Sequence, residues 1–148
     1  MEKINNLYGI LMTVGGAVMV TCAGLVMASS LLIENPYVNV LIHKAVPWAF
    51  LLGSLLYVVC QRKLNARPQN FVQRRLQTIQ LLSGLCFIAS SLLMIEQYWG
   101  FLLPLVVSEM NSYHNYLRIV YNNWVLIMLV GALLQLYSTN RLSHEMRK

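Results

Sequence analysis

The chain has 148 residues, of which 57% are hydrophobic and 11% charged, where soluble domains carry roughly 25% charged residues. That composition excludes a water-soluble fold with a polar coat, and the length leaves no room for a soluble domain beside a membrane bundle. The formal charge of +6 rests on 11 Lys and Arg against five Glu, with the bases gathered at the ends of apolar runs; this favours anionic headgroups and insertion topology over nucleic acid.

A charge at mid-bilayer costs roughly 2.5–3.5 kcal/mol, so uncharged gaps mark candidate spans. Five matter: Ile4 to Ile33, Ala45 to Gln61, Leu76 to Ile95, Gln97 to Ser108 and Ile119 to Asn140. A crossing helix needs about 20 residues, so all but the fourth gap can span.

The first predicted span covers residues 7–33. Its small residues Gly9, Thr13, Gly16, Ala17, Thr21, Gly24 and Ala28 step by three or four and share one face. Such a stripe lets backbones approach closely, either inside this bundle or against a second copy or another membrane protein. A signal peptide ending near Val26-Met27-Ala28 is disfavoured, because the apolar run continues to Ile33 and Glu2 offsets Lys3. Asn35-Pro36 marks the turn that follows.

The second span, 40–60, borrows length upstream of its short gap, which places Lys44 in its first turn with Pro47 and Trp48 just beyond. The loop 61–75 holds Arg62, Lys63, Arg67, Arg74 and Arg75, suited to contact with anionic headgroups or simply to fixing topology.

The third span, 76–98, carries Gln77, Thr78, Gln80 and Ser83 in its first half. Gln77 and Gln80 share a face and are expected to meet Gln135 on the last span by interhelical hydrogen bonds; lining a polar path is the alternative. Glu96 lies twenty positions past Leu76, about 30 Å along a helix, at the outer boundary rather than the midplane where proton-coupled carriers bury a carboxylate.

Residues 99–118 follow as an outer segment. Trp99 to Ser108 is too short to cross and holds Pro104, so it reads either as an interfacial or re-entrant element or as an extension of the third helix. The same side gathers Glu34, His43, Glu96, Glu109, His114 and Arg118. Glu96, Glu109 and His114 are the candidate metal or acid–base residues, although their spacing matches no ligand signature, and no cofactor is expected. A bis-histidine haem is disfavoured, because no span carries a histidine near its centre.

The fourth span covers 120–139. Nine bases then fall on the side of the two tails and the central loop, and only Lys44 and Arg118 on the other, which predicts both termini inside. Cys22, Cys60 and Cys86 lie in apolar stretches as small packing residues. No phosphate-binding loop, zinc-protease motif, nucleophile elbow or paired-carboxylate arrangement occurs.

The expected fold is therefore an all-α, up-and-down bundle of four transmembrane helices forming a single membrane domain. Its compact chain and tight loops suggest a bacterial cytoplasmic membrane. The leading functional expectation is a non-enzymatic accessory or interaction subunit of a membrane complex. The alternatives are an oligomeric transporter or channel lined by Gln77, Gln80 and Gln135, and an outer-face enzyme using Glu96, Glu109 and His114.

Overall fold

The computed structural model describes residues 2–32, 35–64, 71–106, 110–121 and 123–146, and among these every regular element is helical. Four long helices, α1 (Glu2–Leu32), α2 (Pro36–Leu64), α3 (Phe71–Trp99) and α6 (Asn123–Met146), are joined on one side by α4 (Leu103–Val106) and α5 (Met110–Val120). Four stretches are long and apolar enough to cross a membrane: Asn6–Ser29, Pro36–Leu64, Phe71–Trp99 and Tyr113–His144, the last covering most of α6.

The helices outrun the predicted spans. α2 continues through Arg62 and Lys63 to Leu64, and α3 begins at Phe71, so most of the expected loop 61–75 is helix. Charge ends a hydrophobic run but not a helix, because Arg and Lys are good helix formers whose heads swing outward on long stems. Asn35 caps α2 by accepting the Tyr37 N–H at 3.1 Å, with Pro36 at the first helical position, where a missing N–H costs nothing.

α3 does not extend into the outer segment. Its last turn closes on Gly100, whose φ of 61° is the left-handed conformation glycine adopts without strain and whose N–H donates to the Glu96 carbonyl at 2.8 Å. The chain then folds back through α4 and α5, which packs on α3. Between α5 and α6, the Asn123 amide donates to the carbonyls of Arg118 at 2.9 Å and Ile119 at 2.6 Å, satisfying the exposed end of α5.

α1 packs on α2, α2 on α3 and α3 on α6, whereas α1 and α6 come nowhere within 8 Å of each other by Cα position among the described residues. The four long helices thus form a curved row, open along the α1–α6 seam. One core cluster gathers Met19, Cys22, Ala23, Phe50 and Phe87, and a second gathers Val26, Met94 and Trp124.

The helices meet through small residues. A β-carbon on Gly15 would lie 3.0 Å from the Gly53 carbonyl oxygen, so α1 and α2 touch backbone to backbone there. A β-carbon on Gly84 would lie 2.6 Å from a Val58 methyl, and one on Gly131 would lie 3.1 Å from the Cys86 β-carbon. Two interhelical hydrogen bonds lock α3 to α6: the Ser83 hydroxyl donates to the Gly131 carbonyl and the Ser90 hydroxyl to the Trp124 carbonyl, each at 2.8 Å. Donors and acceptors are each seven residues apart, so both pairs lie along one antiparallel seam.

Polarity is inverted relative to a water-soluble bundle. Ser54, Ser83, Ser90, Ser91 and Ser138 are fully buried, while Val20, Leu41, Leu52 and Leu136 are each about two-thirds or more exposed. The accessible surface of 10509 Å² also exceeds the about 7,700 Å² expected of a compact soluble monomer of this mass.

Candidate functional site

The small-residue stripe of α1 does not form the α1–α2 contact. The buried side of α1 is Gly15, Met19, Cys22, Ala23, Val26 and Ser29, while Thr13, Ala17, Thr21 and Gly24 are exposed and Gly9, Gly16 and Ala28 half-buried. Nothing lies within 4 Å of a β-carbon placed on Gly9 or Gly24, and on Gly16 it would meet only the Tyr57 ring at 3.7 Å. The Thr13 and Thr21 hydroxyls turn back onto the Gly9 and Ala17 carbonyls at 3.0 Å. The packing face was shifted by one residue from the stripe because the Gly15-Gly16 pair offers two adjacent faces, and Gly53 opposite selects Gly15.

The polar residues of the third and fourth long helices differ in burial. Gln80 is buried and Gln77 half-buried on α3. Gln135 on α6 lines one cavity with Tyr57 of α2 and reaches Thr139 at 3.4 Å, leaving its carbonyl oxygen buried without a partner among the described residues. Tyr57 was not anticipated, as an aromatic in an apolar run gives no sign of which polar group it will stand beside.

At the outer end, Glu96 is buried rather than solvated. One carboxylate oxygen accepts both the Tyr116 hydroxyl of α5 and the Leu102 N–H, the latter at 2.8 Å. The carboxylate therefore ties the returning outer segment to the end of α3. His114 is exposed on α5, and Glu109 lies outside the described residues, so the three candidate metal residues are not seen together. Among the described residues no group of three His, Cys, Asp or Glu side chains comes close enough to hold a metal ion.

The basic residues Arg62 and Lys63 end α2, and Arg74 and Arg75 begin α3, all four exposed, with the Arg75 guanidinium 5.7 Å from the centre of the Phe71 ring. Arg67 lies outside the described residues. At the opposite end, Lys44 sits two turns into α2 with its ammonium 5.7 Å from the Trp99 ring, while the Trp99 indole donates to the Lys44 carbonyl at 3.3 Å.

A cavity of about 820 Å³ opens along the α1–α6 seam near the C-terminal end of α3. His43 stacks on Tyr98 with ring centres 4.6 Å apart and planes within 9°, and both line the cavity with Trp124. Trp124 is only 3% exposed, and its indole N–H has no partner among the described residues; the same holds for Nδ1 of His43. A buried donor left unpaired costs about 1–3 kcal/mol. Pro47, one turn beyond His43, has no N–H for the His43 carbonyl, which further loosens this part of α2. Below it along the seam a second cavity of about 670 Å³ is lined mainly by Met19, Phe50, Tyr57, Phe87, Met128 and Gln135.

Comparison with known proteins finds no matching family model, no matching curated protein and no matching solved structure.

Proposed function

We propose that this chain is a multi-pass membrane protein that acts as a non-enzymatic interaction subunit, with α1 as its contact helix. The inverted polarity supports the membrane placement: leucines outward and hydrogen-bonded serines inward minimise free energy in hydrocarbon, where every polar group needs an internal partner. The inside position of the tails and of the basic connection follows from the distribution of Lys and Arg, and a bacterial cytoplasmic membrane suits the compact chain.

The observation that carries the interaction role is the empty space beside Gly9 and Gly24. Glycine inside a helix costs about 1 kcal/mol relative to alanine, and here no contact within the chain calls for it. Together with exposed Thr13, Ala17 and Thr21, it leaves a face on which another transmembrane helix can approach at backbone distance, gaining dispersion contacts that a lipid tail does not supply as well.

The test is crosslinking in native membranes through single cysteines at Thr13 and Ala17. The expected result is one discrete adduct, lost when Gly24→Leu is added. Monomer alone at both positions, or an adduct insensitive to Gly24→Leu, contradicts the proposal.

A further inference from the structure

We infer that the open α1–α6 seam is a binding site for a neutral amphiphile whose planar, carbonyl-bearing head sits against Trp124 and His43 and whose apolar chain runs down the seam, the chemistry of a lipophilic quinone. The ligand class follows from four features of the seam. First, the outer cavity holds an almost fully buried indole N–H without an acceptor, and a carbonyl oxygen is the group that completes it. Second, the walls there are planar: His43 stacked on Tyr98, with Tyr121 and Trp124, offer ring faces and edges to a flat head group. Third, among the described residues no Lys, Arg, Asp or Glu lines either cavity, so a charged head would be taken out of water with no counter-charge from them.

The fourth feature is continuity. Both cavities lie along the same seam, the outer one lined on α6 by Asn123 to Leu126 and the lower one by Met128 and residues beyond it, and the lower slot is walled by Met19, Phe50, Phe87 and Met128, where we place the chain. Methionine and phenylalanine there provide polarizable, adaptable walls for an unbranched or prenyl chain. Each cavity has the size of an ordinary small-molecule site. Among the described residues α1 and α6 have no Cα positions within 8 Å of each other, and the spacing of their backbones is the route of lateral entry we assign to the amphiphile. This inference rests on the membrane placement proposed above only for the supply of ligand; it touches the α1 stripe at Gly16, which lines the lower cavity, and does not draw on the exposed Gly9, Thr13, Ala17 and Gly24.

The test uses full-length protein purified in detergent, incubated with a benzoquinone carrying a decyl chain and separated from free micelles by gel filtration, with bound quinone read by its absorbance. Uptake should saturate near one quinone per chain. Trp124→Phe, which keeps the ring and deletes the N–H, should weaken binding roughly five- to tenfold at an unchanged thermal unfolding midpoint. His43→Phe preserves the stack on Tyr98 and serves as a second probe of the head, and Ala132→Trp, which fills the lower slot, should weaken binding through the chain. Uptake that rises linearly as it does in empty micelles overturns the assignment. So does unchanged affinity in the variants, or displacement of the quinone by phosphatidylglycerol as readily as by unlabelled quinone. Because binding is measured in detergent, a negative result leaves the membrane placement standing.

Discussion

Serine does in this protein what leucine does in a soluble core. Ser83 and Ser90 are completely buried, and each spends its hydroxyl on a carbonyl of α6. If the helices stand in a bilayer as proposed, the hydrophobic effect does not drive them together, and these bonds contribute directly to the α3–α6 contact, about 0.6 to 2 kcal/mol each. Ser83→Ala and Ser90→Ala should each destabilise the protein by that amount in denaturation from detergent. Seven residues separate them, about 10 Å, so the double variant should show nearly the sum. The role of Ser83 was partly legible in the sequence as a polar group needing a partner, but Ser90 was hidden in an Ala-Ser-Ser string, and its alignment with Trp124 depends on the register of two helices. Glu96 illustrates a different limit. It lies near the C-terminal end of α3, and its burial comes from Tyr116 folding back over it, a contact across twenty residues that no local pattern encodes.

Among the elements, the long helices were legible as long uncharged, apolar gaps in the chain, the pattern that the cost of charge in lipid would select. Their ends were not, since Arg62, Lys63, Arg74 and Arg75 extend helices while closing apolar runs. The outer segment resolved into a break at Gly100 followed by α4 and α5, a distinction that hydropathy over ten residues cannot make. Glycines divide by element in a way that substitution can expose. Gly84→Val pushes a branched side chain into Val58 and should cost roughly 1–3 kcal/mol by overpacking the α2–α3 contact. Gly24→Ala meets nothing and should stabilise the isolated protein by up to about 1 kcal/mol through helix propensity. Unfolding of the two variants in detergent checks the contrast; equal losses would mean that α1 packs on a different face from the one described.

For the molecule as a whole, a row of helices that fails to close is the feature from which both functional readings descend. In this row the cleft is bordered by Gly16 at the edge of the α1 stripe, while Gly9 and Gly24 meet nothing among the described residues. Both depend on the long helices standing in a bilayer with their basic ends on one face. The direct measurement is labelling of single cysteines in intact and permeabilised cells with a membrane-impermeant maleimide, in a background with Cys22, Cys60 and Cys86 replaced by alanine. Asn6→Cys, Leu64→Cys and His144→Cys should react only after permeabilisation, and Tyr113→Cys should react in intact cells. Labelling of Asn6→Cys and His144→Cys from opposite sides, or recovery of the chain in the supernatant without detergent, would contradict the account.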